Sequence, residues 1–347
     1  EGFPETLSVI DYFAFQGTGL IRIDLSNIES SPAANKLGRS AFAFCKNLKE
    51  IKFGSKVSYL YDAMFEGCSS LQVLDLSKTT ITALGGRMFV NCTNLQSVLL
   101  PQTCTSIDQY AFQNCKSLEE IDLVNAKTLG NYIFMGCTNL KTVIVSDKTL
   151  TLPDYAFANC NALEDIALPN ALRKIGKYAF QNTAITSIVL PPYVSEIGVG
   201  VFSGCKNLDS VTIKSKILSS IGTQAFRGCE NLKSFTITKS VTSIGTGAFG
   251  GCSDIKFVIE EGNTLFSITP GGALVDQKGT LLGYPTGNAT TVDFSGISEL
   301  GENAFYGNSN LTEVTIPASL EKIDAYAFAN CVNLATVKFE SGCTLKT

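Results

Sequence analysis

Cysteine is the residue whose type and spacing first point to chemistry. Ten of the chain's 12 cysteines fall in one recurring column: Cys45, Cys68, Cys92, Cys115, Cys137, Cys160, Cys205, Cys229, Cys252 and Cys331. Regularly spaced thiols serve as disulfides, metal ligands or nucleophiles, and each use needs a partner. No C-x-x-C occurs, so the zinc and redox signatures fail. The chain has no histidine, which removes Ser-His-Asp and Cys-His catalysis and His-ligated metal together. Three further units carry Thr18, Thr183 and Asn308 at the cysteine position. These residues share with Cys small size and an ability to donate a hydrogen bond. The pattern therefore predicts a buried ladder of free thiols that satisfies loop carbonyls, not a disulfide set. Cys104 and Cys343 lie off the column, about ten units apart along the repeat array, and are not expected to meet.

Carboxylates offer the other route to catalysis. Glu119 and Glu120 are neighbours on a strand and point to opposite sides. Two acids suffice for glycoside hydrolysis, but that reaction needs a deep cleft, which a solenoid sheet seldom forms. No phosphate-binding glycine loop and no EF-hand pattern occurs. The residues thus predict a non-enzymatic chain without cofactor or metal. A net charge of −4 with 17% charged residues gives no nucleic-acid footprint. Apolar content of 45% excludes a disordered chain. No apolar run reaches the ~18 residues of a membrane span.

The elements that position these residues repeat. A phenylalanine recurs at Phe15, Phe42, Phe65, Phe89, Phe112, Phe134, Phe157, Phe180, Phe202, Phe226, Phe249, Phe305 and Phe328. Most intervals are 22–24 residues; the first is 27 and the one from 249 to 305 is 56. That makes 13 units. In one unit, the segment around Ile175 reads as extended, Tyr178 to Gln181 as a short helical or 3₁₀ turn, and Ile185 to Leu190 as a strand leaving at Pro191. Two residues after each repeat Phe stands Gly or Asn in twelve of thirteen units, which predicts a left-handed residue closing the turn. Phe44 is the exception, and local distortion is expected there. Leucines such as Leu48, Leu118 and Leu232 open the strands and bury themselves between stacked coils.

The run Tyr110-Ala-Phe-Gln-Asn-Cys115, followed by Leu118-Glu-Glu-Ile-Asp-Leu123, resembles the BspA-type leucine-rich repeat, as does Tyr326-Ala-Phe-Ala-Asn-Cys331 with Leu334. The resemblance recurs along essentially the whole chain. It implies an α/β solenoid: a leucine-rich-repeat right-handed superhelix with a parallel sheet on the concave face and short helical or 3₁₀ turns. It also implies an extracellular or cell-surface location in bacteria and adhesion to a host or bacterial surface protein. No catalytic residue is carried over from the family.

The expected organisation is a single solenoid over residues 1–347, with an irregular unit at 253–300. Leu7-Ser-Val-Ile10 enters the register almost at once, and Cys343-Thr-Leu-Lys-Thr347 stops as another unit would begin. Both ends are therefore expected to be cut within a longer array, and this chain shows no signal peptide. Within the irregular unit, Ala273–Val275 and Thr280–Leu282 read as hairpin strands around Asp276 to Gly279. The bland reading is a degenerate coil; the functional one is a docking element beside Tyr284.

In such a sheet alternate side chains face solvent. With Leu118, Ile121 and Leu123 inward, the register places Asp24, Glu50, Asp75, Glu120, Asp122 and Asp165 outward in the first half. It places a Ser/Thr stretch in the middle and an apolar step, Phe257 and Ile259, beside the insert. Ordinary solvated sheet explains such a stripe, and so does a face that recognises a protein. The acidic residues favour a basic partner through steering. A structural spacer and a carbohydrate-binding surface protein are the two alternatives.

Overall fold

The computed structural model describes residues 7, 9–31, 37–287 and 290–343. The expected register of Ser8 and of 344–347 lies outside the described residues. The chain divides into two compact units, Glu1–Leu172 and Arg173–Thr347. Each is a β-solenoid of stacked coils. A coil runs from a strand of three or four residues, through a turn, to a second strand of two residues, and then around the repeat Phe to the next coil.

In the first unit the longer strands pair in parallel twos. Arg22–Leu25 lies beside Glu50–Phe53, Val73–Asp75 beside Ser97–Leu99, and Glu120–Leu123 beside Thr142–Val145. The short strands Ala83–Leu84, Ser106–Ile107 and Thr128–Leu129 make a three-stranded parallel ladder. In the second unit Ser187–Leu190 pairs with Ser210–Ile213, Ser234–Ile237 with Lys256–Ile259, and Glu313–Ile316 with Thr336–Phe339. The longer strands thus form pairs where the sequence pointed to one continuous sheet. No strand covers Asp165, so the expected strand is absent there.

The turn around each Phe is not the helical or 3₁₀ turn that the sequence predicts; no helix occurs among the described residues. Its backbone is left-handed twice. All thirteen residues two after the Phe have positive φ, from Gly17 at 69° to Asn330 at 59°. So do all thirteen residues two before it, among them Ser40, Ala63, Arg87, Tyr110, Tyr132 and Gln224. Hydrogen bonding explains the choice. The N–H groups of Tyr110, Phe112 and Asn114 donate across to Asn131, Ile133 and Met135 of the next coil at 2.8–3.0 Å. The N–H groups between them stay local, as Gln113 to Tyr110 and Cys115 to Phe112. Sending every second N–H to a neighbouring coil leaves too few for a helical ladder.

Phe44 keeps this geometry, contrary to the distortion expected of it. Its φ is 59°, and its N–H reaches Glu66 O at 2.6 Å. The interlocked bonds over-determine the backbone, which then holds a residue type that disfavours the conformation. Gly67 provides the room: a Cβ there would lie 2.5 Å from the Phe44 ring.

The core is one column of rings per unit. Phe15, Phe42, Phe65, Phe89, Phe112, Phe134 and Phe157 follow one another at 5.4–5.8 Å with planes within 12°. In the second unit Phe180, Phe202, Phe226 and Phe249 do so at 5.3–5.6 Å. Strands sit about 4.8 Å apart, so the rings are offset, which suits their quadrupoles better than direct overlay. Burying each ring contributes roughly 1.5–3 kcal/mol.

The thiols close the coil-to-coil bonding. Cys115 Sγ donates to Phe89 O at 3.2 Å, and Cys137 Sγ to Phe112 O at 3.1 Å. The same bond recurs from Cys45, Cys68, Cys92, Cys160, Cys205, Cys229, Cys252 and Cys331 to the preceding coil's Phe. Thr183 Oγ1 instead donates within its own coil, to Phe180 O at 2.9 Å. Asn308 accepts, taking the N–H groups of Asn310 and Leu311. All 12 cysteines are free thiols, eleven of them buried and Cys343 half-buried.

Burial pushes the thiols of Cys68, Cys137 and Cys252 up to about 12, and those of Cys104 and Cys205 up to about 11, from an ordinary 9.0. A thiol that ionises more easily when unfolded stabilises the fold fully below its unfolded pKa, and that contribution is lost as pH rises through the folded one. The urea midpoint should therefore fall as pH rises from about 9 toward 12. A thiol reagent should find Cys343 in the native chain and 12 groups in urea without reductant; a count near zero would refute the free-thiol ladder.

Candidate functional site

The exposed strand face of the first unit gathers most of the residues that the sequence nominates. Its outward positions alternate along each strand, and the parallel register aligns them between coils. Asp75 stands opposite Leu99, and Asp122 opposite Ile144. Arg22 stands opposite Glu50 and forms an ion pair with it at 3.3 Å. Both side chains are well exposed, so the pair adds little stability.

Three of the acidic residues are engaged by their own turns. Asp24 Oδ1 accepts the Ser26 N–H at 3.0 Å and the Ser26 hydroxyl at 2.5 Å. Asp75 does the same with Ser77, at 2.9 and 2.6 Å. Asp122 accepts the Val124 N–H at 2.8 Å. These serine bonds hold the carboxyl groups of Asp24 and Asp75 below the usual range, against a smaller opposing effect of burial. The aspartates thereby fix the turn that ends each strand while keeping a second oxygen free. Glu120 and Asp165 are exposed, and neither side chain has an ion pair or hydrogen bond among the described residues.

The face is less uniformly acidic than the stripe of acids implies. A shallow cleft of about 390 Å³ between Glu50–Phe53 and Val73–Asp75 is lined by Lys49, Lys52 and Lys78 as well as Glu50 and Asp75. A second, of about 200 Å³, lies between the next two strand pairs, lined by Ser77, Leu99, Pro101, Asp122 and Val124. Val73, Leu99, Val124 and Ile144 are each at least half exposed. Val73, Leu99 and Ile144 share the outward register with the acids. A run of exposed large aliphatics among fixed carboxylates is the signal that identifies this patch.

Three candidates lie elsewhere. Phe257 is only 4% exposed and packs edge-on against Phe249 at 5.1 Å. Ile259 is half-buried. The strand register pairs Ser234 with Lys256 and Thr236 with Val258, so Lys256 and Val258 face outward instead. One residue fewer separates Ile255 from the first outward position than separates Leu232 from Ser234, and the whole strand flips its faces. Tyr284 is also buried, its ring 5.1 Å from Phe305. Its hydroxyl accepts the Asp293 N–H at 3.0 Å, which makes it a support of the irregular unit and not an exposed docking residue. The hairpin itself forms. Leu274–Asp276 runs antiparallel to Thr280–Gly283 and also to Phe266–Ile268, and Thr280–Gly283 then rejoins the parallel coils through Glu299–Leu300.

The sequence matches the BspA type leucine-rich repeat region in six copies, over residues 22–141, 127–256 and 284–346. The chain belongs to that family. Among solved structures it is similar to a leucine-rich cell surface protein of Faecalibacterium prausnitzii, at 21% identity and a TM-score of 0.56, over 98% of this chain and 86% of that one. It is also similar to a leucine-rich repeat protein of Bacteroides ovatus, at 25% identity and a TM-score of 0.53, over 97% and 87% of the two chains. Curated proteins yield no sequence match. No helix among the described residues is long and apolar enough to cross a membrane.

The corrected register makes a direct test. Phe257→Ala should cost roughly 3–5 kcal/mol in a urea melt, as for a buried ring. Val258→Ala, one residue on, should change the midpoint little. Equal, small effects would return Phe257 to the surface.

Proposed function

We propose that the chain is a non-enzymatic interaction module of a bacterial surface protein, and that it holds a protein partner on the exposed strand face of its first unit. The observation that carries this reading is the patch of Val73, Leu99 and Ile144 set among Asp75, Glu120 and Asp122. Exposed aliphatics supply apolar area to bury, and the Asp75 and Asp122 carboxylates, fixed by backbone bonds, supply oriented acceptors at low entropic cost. The strands beneath are rigid, so the patch is preorganised. The acids concentrate at Glu120 and Asp122, away from the Arg22 and Lys52 end, which favours a basic segment on the partner.

The test is a binding screen of the purified chain against matrix proteins and bacterial surfaces at two salt concentrations. Saturable binding should weaken at high salt. Leu99→Asp should weaken it at least tenfold, and Glu120→Lys should chiefly slow association. Saturable binding that ignores both substitutions, or no protein partner for a chain shown to be folded, would move the function off this face.

A further inference from the structure

The irregular coil builds a concave groove in the second unit. The hairpin tip Gln277–Gly279, the segment 292–298 and the post-strand turns of the next two coils enclose a groove of about 750 Å³. That volume falls within the roughly 300–1,000 Å³ of small-molecule sites. We infer that this groove binds a short, neutral oligosaccharide.

The groove is pinned in shape. Ser298 donates its hydroxyl to Lys278 O and its N–H to Gly279 O, at 2.5 and 2.9 Å. Gly279 has φ 79°, and a Cβ there would meet Ser298 Oγ at 2.6 Å, so the tip sits directly on the following coil. Its carboxylates are likewise fixed. Asp293 Oδ1 accepts the Ser295 N–H at 2.9 Å, and Glu340 Oε2 accepts the Ala318 N–H at 3.1 Å. Each keeps one oxygen for a ligand. Phe294, half-buried, meets Phe305 edge-on at 6.5 Å and lines the groove. Gln277, Lys278 and Thr315 complete a rim that both donates and accepts.

A sugar ring presents hydroxyls that need both donors and acceptors, and an apolar C–H face that suits the negative face of an aromatic ring. Two carboxylates against one ammonium disfavour a sialylated or sulfated glycan. Nothing in this assignment depends on the strand face of the first unit.

The experiment is an array of neutral and sialylated oligosaccharides, followed by calorimetric titration of the full chain with the strongest neutral one. Phe294→Ala and Asp293→Asn should each weaken binding at least tenfold, and Glu340→Gln at least threefold. The two amide variants retain an oxygen for the backbone N–H, so their melting curves should match the parent even if Phe294→Ala is destabilised. Glu120→Lys should leave saccharide binding unchanged, which separates this site from the protein-binding face. A folded chain that binds no neutral oligosaccharide, binds only sialylated ones, or binds equally well in all three groove variants would overturn the inference.

Discussion

The carbonyl of each repeat phenylalanine is the point on which the coil depends. It is buried beside a ring that water cannot reach, and it needs two donors. The N–H three residues on supplies one, as Cys115 does to Phe112 at 3.1 Å. In ten coils the thiol of the next coil supplies the other, as Cys137 does at 3.1 Å. A buried carbonyl left without partners costs of the order of 1–3 kcal/mol, and the repeat presents one in every coil. The cysteine column, the ring stack and the double left-handed turn are three consequences of satisfying it. The turn brings the carbonyl to the coil boundary, the ring fills the space beneath, and the thiol is small enough to reach across.

This arrangement makes the interior indifferent to what the strands carry outside. Nearest-neighbour burial holds each coil, so the outward positions are free to vary: acids and aliphatics in the first unit, Ser187, Ser210, Thr212 and Ser234 in the second. The residues that hold the coils together and those that set the chemistry of the exposed face are largely different. Even the acids divide this way, since Asp24 and Asp75 spend one oxygen on their own turns and leave the other to solvent.

The irregular coil shows how the scheme tolerates interruption. Where a repeat Phe is missing between Phe249 and Phe305, the Tyr284 ring packs on Phe305 and its hydroxyl takes a backbone N–H. The chain reverses twice as an antiparallel meander before resuming the parallel order. The cost is a coil with no strand at 292–294, and the gain is a groove of about 750 Å³, larger than the two clefts described between regular coils of the first unit.

The repeat, its period, the left-handed residue after each Phe, the hairpin and the unpaired thiols were legible because each follows from local residue types recurring at a fixed spacing. The second left-handed residue was not, because Ser40, Arg87 and Tyr110 have no intrinsic preference for it; the bonds to the next coil impose it. Phe44 obeys the turn for the same reason, against its own type. The outward face was legible wherever the spacing from leucine to strand held, and failed at Phe257, where a single missing residue exchanged the two sides. The pairing of strands in twos, the burial of Tyr284 and the groove beside it belong to the tertiary structure alone. A one-dimensional pattern specifies what each coil contains. Only the stacking of coils decides which alternate side is covered and where a surface is left concave.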